Sequence, residues 1–160
     1  MPHLLGIVNM TRDSFSDGGR YLDPSRAVAH ALQLVADGAD IIDLGAESTN
    51  PDAEAVAPAT ECARLLAALP ILKARGLTVS VDTYHPEVMR AVLAAGADFI
   101  NDVTGFRQPG AVEVAAAATA RLIVMHSTAS GPRAQRKHVP PETLVAHVVA
   151  FFEERIATLT

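Results

Sequence analysis

One cysteine, Cys62, stands in 160 residues. It can form no internal disulfide, and its setting in Cys62-Ala63-x-Leu65-Leu66 reads as a buried, inert core thiol rather than a nucleophile. A lone thiol fits a reducing cytoplasm. Long apolar runs are missing too. None approaches the roughly 18 residues that a bilayer span needs, and no basic segment leading into an apolar one follows Met1, so neither anchor nor secretory signal is expected. Positive charge is also scarce. Thirteen Lys and Arg against eighteen Asp and Glu leave a net charge of −5, which argues against broad attachment to nucleic acid or an acidic membrane and for a small substrate.

What is present is a globular balance of 49% hydrophobic and 19% charged residues, arranged in a regular alternation. Leu4 to Val8, Ile41 to Leu44, Thr78 to Val81, Phe99 to Ile100 and Leu122 to Met125 read as strands. Pro24 to Ala36, Ala59 to Ala74, Pro86 to Ala95, Gly110 to Ala118 and Glu142 to Ile156 read as helices. Pro86 and Pro141 sit where a first helical turn tolerates proline, and Gly38, Gly76 and Gly96 sit where helix C-caps would fall. Strands separated by helices pair in parallel through right-handed crossovers, which makes this an α/β protein of about five βα units. An internal echo links Asp37-Gly38-Ala39-Asp40-Ile41-Ile42-Asp43 to Ala95-Gly96-Ala97-Asp98-Phe99-Ile100-Asn101. Repeated units favour a barrel of equivalent parts over an open sheet. A closed eight-unit barrel takes about 250 residues, so 160 are too few for closure.

In parallel α/β folds ligands gather beyond the carboxyl ends of the strands, and every predicted strand here runs into polar residues. Asn9, Asp82 and Asn101 form the sharpest trio: an amide and a carboxylate from neighbouring strand ends can read the donor and acceptor edge of a flat heterocycle, or can equally cap their own loops. Two glycine- and hydroxyl-rich loops, Met10 to Tyr21 and Gly45 to Pro58, could wrap an anionic substrate or lie on the surface. The first lacks the Gly-Lys-Ser/Thr ending of a nucleotide-binding P-loop. His126 ends the fifth strand as either a polar contact or a structural histidine. His3, His30, His85, His138 and His147 show no H-x-H or H-E-x-x-H spacing, which disfavours zinc and leaves them as surface or capping residues. Asp43, Glu47 and Asp82 could influence a bound Mg²⁺ without defining its coordination sphere.

Taken together these phrases resemble the dihydropteroate synthase family. The resemblance rests on Gly6-Ile7-Val8-Asn9-Met10-Thr11-x-Asp13-Ser14-Phe15-Ser16-Asp17-Gly18-Gly19 and Gly38-Ala39-Asp40-Ile41-Ile42-Asp43-Leu44-Gly45-Ala46-Glu47-Ser48-Thr49-x-Pro51. Val81-Asp82-Thr83, Ile100-Asn101-Asp102-Val103 and Met125-His126 extend it to the third, fourth and fifth strand ends. It implies a TIM (β/α)8 barrel, with residues 1–160 as a single, incomplete amino-terminal part, and the joining of a pterin diphosphate to p-aminobenzoate with Mg²⁺ assisting diphosphate loss. By the same resemblance, Asn9 would serve the metal and diphosphate, with Asp17 and Thr49 beside it as catalytic residues. Asp82 and Asn101 would hydrogen-bond the pterin, Val103 and Met125 would pack on its ring, Phe15 and Pro51 would help enclose p-aminobenzoate, and His126 would be a further substrate-binding residue. It further implies a cytoplasmic enzyme of folate biosynthesis, a sulfonamide target, with a homodimer in the complete protein.

Two positions depart from the family pattern. Arg12 stands where a proline is usual and Asn50 where an arginine is usual, so a planar cation is lost from one loop and one is gained on the other, where Arg12 could compensate. The chain ends at Thr160, about where the family would continue into a sixth strand. The expectation is therefore weak or absent catalysis by these residues alone and an open strand edge prone to association. Two further readings remain open: a pterin-binding methyltransferase domain and a non-catalytic pterin-binding paralogue.

Overall fold

The computed structural model describes residues 2–11, 23–48, 55–129, 131–132, 135 and 138–160. Five strands, β1 (Leu5–Asn9), β2 (Ile41–Gly45), β3 (Val79–Asp82), β4 (Phe99–Asp102) and β5 (Arg121–Val124), alternate with α1 (Pro24–Ala36), α2 (Pro58–Ala74), α3 (Pro86–Ala94), α4 (Ala111–Ala116) and α5 (Pro141–Leu159). Every strand pairs in parallel with the next in sequence, in the order β1-β2-β3-β4-β5. An open doubly wound sheet reverses its strand order at a switch point. This sheet has no reversal, so right-handed crossovers send all the helices to one side, and each helix packs on its successor.

Local chemistry sets the element ends. Proline opens α1, α2, α3 and α5, where its missing N–H costs nothing, and the Asp23 carboxylate accepts the Ser25 amide at 2.9 Å to cap α1. Gly38, Gly76 and Gly96 follow α1, α2 and α3 with φ of 110°, 77° and 92°, a region closed to most side chains. The fifth strand starts and stops one residue earlier than the pattern suggests, which leaves Met125 just past its end.

Val8, Leu44, Val81 and Ile100 share one row of the sheet and point into the helix layer, where they meet Leu65, Leu69 and Leu72 of α2 in the core. Each fully buried leucine contributes about 1.5–3 kcal/mol of transfer free energy. Cys62 borders this core half-buried, less enclosed than expected. The opposite sheet face carries the rows Ile7-Asp43-Ser80-Phe99-Arg121 and Asn9-Gly45-Asp82-Asn101-Ile123. Among the described residues no helix covers this face. Its β1 edge is open, with Ile7 60% exposed.

The echoed phrases are equivalent in space. Asp40, ahead of β2, accepts the Leu4 amide ahead of β1 at 2.8 Å, and Asp98, ahead of β4, accepts the Val79 amide of β3 at 2.7 Å. Each aspartate stitches its strand to the preceding one. Asp98 also pairs with Lys73 of α2 at 2.5 Å.

Candidate active site

Asn9 and Asp82 end β1 and β3, Asn101 is the last residue but one of β4, and all three lie in one register row, with Gly45 of β2 in the same row between Asn9 and Asp82. The glycine is what lets the flanking side chains approach: a Cβ there would lie 3.1 Å from Asn9 Oδ1 and 3.8 Å from Asp82 Oδ2. One pleat below, Asp43 accepts the Asn101 Nδ2–H at 3.1 Å, reaching across β3 above the buried Ser80. Its other oxygen, Oδ1, is buried with no protein partner. Together with Ile7, Thr11, Glu47, Ser48, Val103 and Met125, these residues line a cavity of about 280 Å³. Its lining sets oxygen-bearing side chains beside the apolar Ile7, Val103 and Met125.

Burial, reinforced by the charges of Asp43, Glu61, Asp102 and Glu47, pushes the Asp82 carboxyl up to about 7. Near neutral pH this group therefore exchanges between donor and acceptor forms. Oxygen ligands of this kind suit a hard divalent cation such as Mg²⁺, and Asn9 Oδ1 with the unpaired Asp43 oxygen supplies them. A second group, Glu47, Glu61 and His85, brings its ligating atoms within 4.8 Å of one another. Its members also satisfy each other: His85 Nδ1 lies 2.8 Å from Glu61 Oε2, and the Tyr84 hydroxyl donates to both oxygens of Glu47 at 3.0 Å. Burial raises the Glu61 pKa, opposed by hydrogen bonds from Thr83 and His85.

Of the ten residues expected from the sequence, five line the cavity: Asn9, Asp82, Asn101, Val103 and Met125. Phe15, Asp17, Thr49 and Pro51 fall outside the described residues, as do Arg12 and Asn50. His126 stands apart. Its ring packs edge-on against His147 and Phe151, with centroid separations of 5.4 and 5.0 Å, and burial there lowers its pKa. Asp102 caps its own loop: its carboxylate accepts the Thr104 and Phe106 amides at 2.7 and 2.9 Å. His85, expected at the surface or as a cap, does take the N-cap position of α3, but its side chain makes no cap hydrogen bond and is half-buried against Glu61, because the buried carboxylate requires a polar partner. Glu61 was missed, though a signal was there: it holds the first place in Glu61-x-x-x-Leu65-x-x-x-Leu69, a charge on the stripe that α2 buries.

Residues 5–160 match the sequence profile described as pterin binding enzyme. The chain belongs to the pterin-binding enzyme family. Among curated members of this family, it is 47% identical over 157 residues to the type-2 dihydropteroate synthase of Escherichia coli, covering 98% of this chain and 58% of that protein. It is 45% identical over 159 residues to the type-3 enzyme of the same organism, covering 99% and 60%. Among solved structures, the dihydropteroate synthase of Xanthomonas albilineans with 4-aminobenzoic acid overlays with a TM-score of 0.86 and 43% identity, over 99% of this chain and 56% of that one. The Burkholderia cenocepacia dihydropteroate synthase complexed with 7,8-dihydropteroate overlays at 0.85 with 35% identity, over 99% and 53%. This pterin-binding family chain thus spans somewhat over half the length of the relatives it matches, and its five units have the fold of the dihydropteroate synthase TIM barrels.

Proposed function

We propose that residues 1–160 form one domain, the amino-terminal βα units of a dihydropteroate synthase that joins a dihydropterin diphosphate to p-aminobenzoate. The observation that carries this reading is the convergence of Asn9, Asp43, Asp82 and Asn101 on one cavity of about 280 Å³ in a chain of the pterin-binding family. A pterin presents amino and ring N–H donors beside carbonyl and ring-nitrogen acceptors. Asp82 and Asn101 offer the complementary atoms, and Val103 and Met125 offer apolar contact to the ring faces.

In the reaction the bond from the pterin methylene carbon to diphosphate oxygen breaks, and the electron pair leaves with diphosphate. The arylamine nitrogen then bonds to that carbon and gives up a proton. Asn9 Oδ1, with the Asp43 carboxylate behind it, would hold Mg²⁺, which neutralises leaving-group charge when bound. The chain's own contribution is orientation. A ring fixed by Asp82 and Asn101 keeps its methylene over Asn9, and this placement replaces a bimolecular encounter. Asp17 and Thr49 are assigned to the reacting centre and Phe15 and Pro51 to p-aminobenzoate by resemblance alone, while His126, expected as a substrate contact, packs on α5 and is given no ligand role. The same reading places the protein in the cytoplasm and makes the complete molecule a homodimer; among the described residues no helix is long and apolar enough to cross a membrane.

Binding of pterin without turnover is the second reading. It is favoured by Arg12 and Asn50, which stand where the family pattern has proline and arginine. Mg²⁺-dependent diphosphate release from 6-hydroxymethyl-7,8-dihydropterin diphosphate, with and without p-aminobenzoate, separates the two. Release that requires the arylamine establishes the synthase. Measured on the full-length synthase that this reading proposes, pterin binding without release establishes the binder, and absence of both refutes the assignment.

A further inference from the structure

Tyr84 and His85 are consecutive residues of the segment between β3 and α3, yet they grip two different places. Tyr84 donates its hydroxyl to Glu47, three residues or fewer beyond the end of β2, at 3.0 Å. His85 meets Glu61 in the first turns of α2 at 2.8 Å. The two rings stack with centroids 4.0 Å apart, so neither side chain can shift without moving the other. Thr83, immediately before them, is 2% exposed, donates its amide to Asn101 O at 3.0 Å and accepts the His85 amide on its hydroxyl at 3.3 Å. A run of four residues thus starts with the cavity carboxylate Asp82 and ends on the buried acid Glu61.

We infer that Tyr84 and His85 act as a clip that fixes Glu47 and Asp82 in the wall of the cavity, making Tyr84, His85 and Glu61 positioning residues. Three observations carry this. Glu47 and Asp82 line the cavity of about 280 Å³, and Tyr84 and Glu61 line a second, smaller cavity that shares Glu47, Ser48, Asp82 and Val103 with it, so the clip grips the wall that the two cavities have in common. Glu61 is 1% exposed on a stripe that otherwise buries leucine, a costly place for a carboxylate unless it holds a partner. And the clip spans three elements, β2, α2 and β3, that backbone ladders join only on the sheet side. Its consequence for ligand binding rests on the pterin reading above; the mechanical role does not.

The test uses the 160-residue chain with three variants, Tyr84→Phe, His85→Leu and His85→Lys. Amide exchange is followed at Glu47, Ser48 and Thr83 and, as a control, at Ile42 and Val81 in the core. Loss of one buried hydrogen bond should speed exchange about tenfold at Glu47 and Ser48 in Tyr84→Phe, and at Thr83 in His85→Leu, with Ile42 and Val81 unchanged. His85→Lys supplies a donor and a charge to Glu61 and should restore the Thr83 rate to within about twofold. Unchanged exchange in Tyr84→Phe and His85→Leu, or a lysine variant as fast as the leucine one, overturns the clip. Affinity for 6-hydroxymethylpterin should fall about tenfold in Tyr84→Phe and His85→Leu and recover in His85→Lys; affinity that stays level while exchange accelerates overturns the link to the site. A wild-type chain that binds no pterin counts against the proposed function, while the exchange rates still decide the clip.

Discussion

Asp82→Asn should stabilise the protein at alkaline pH while removing its affinity for pterin. The carboxyl of Asp82 moves from an ordinary 3.8 to about 7 on folding because burial and four neighbouring carboxylates disfavour its charge. Between those values the folded state binds more protons than the unfolded one, so stability falls as pH rises through this window. Each pH unit across it is worth about 1.4 kcal/mol, and screening by water at the cavity mouth brings the total to roughly 2 kcal/mol. Asparagine keeps the shape and one acceptor but carries no charge. Urea melts of wild type and variant should therefore coincide near pH 4 and separate progressively, with the variant more stable by roughly 2 kcal/mol above pH 7. A variant that is less stable than wild type at pH 8, or one that keeps the same slope with pH, would refute the argument that this site stores electrostatic strain.

Three further outcomes follow from the geometry. Gly45→Ala puts a Cβ 3.1 Å from Asn9 Oδ1, and because Asn9 is exposed it can swing aside; the melting temperature should stay within a few degrees while Mg²⁺ affinity, measured by calorimetry in the presence of pterin and diphosphate, falls about tenfold. Gly105→Ala and Gly38→Ala both strain a positive φ, but only the former would drive a Cβ to 2.8 Å from Phe151 Cζ of α5, so it should cost roughly 2–5 kcal/mol against about 1–2 for Gly38→Ala in denaturant melts. Asp98→Ala removes both the Lys73 ion pair and the acceptor of the Val79 amide and should cost about 1–3 kcal/mol; a smaller loss than for the exposed Asp23→Ala cap would contradict the stitching role.

The order of elements was legible because each one carries its own punctuation. Proline marks four helix starts and glycine three helix ends, and α1 matches its expected bounds at both ends. The choice between barrel and open sheet was harder, since both share the same alternation; what decides it is the direction of successive crossovers, a property of the whole sheet. The same division holds in the site. Asn9, Asp82 and Asn101 could be found because strand ends are recognisable, and period-two alternation then puts them on one face. The Glu47–Tyr84 and Glu61–His85 pairs join residues 37 and 24 apart, and no local pattern announces which histidine or tyrosine a buried glutamate will meet. His126 was ambiguous for a related reason: one step in the alternation past Met125, which lines the cavity, turns its ring to α5.

The echo between the second and fourth βα units has a final consequence for how such a site can arise. Its backbone symmetry sets Asp43 and Asn101 at equivalent places, and the two side chains meet across β3 at 3.1 Å. A faithful duplication would have put two carboxylates there, repelling each other in a buried setting. Exchange of one carboxylate oxygen for NH₂ turns that repulsion into a hydrogen bond and leaves one oxygen of Asp43 spare. The two phrases differ at three places, and of these Asn101 opposite Asp43 is the one that makes the pair compatible and gives the site its polarity.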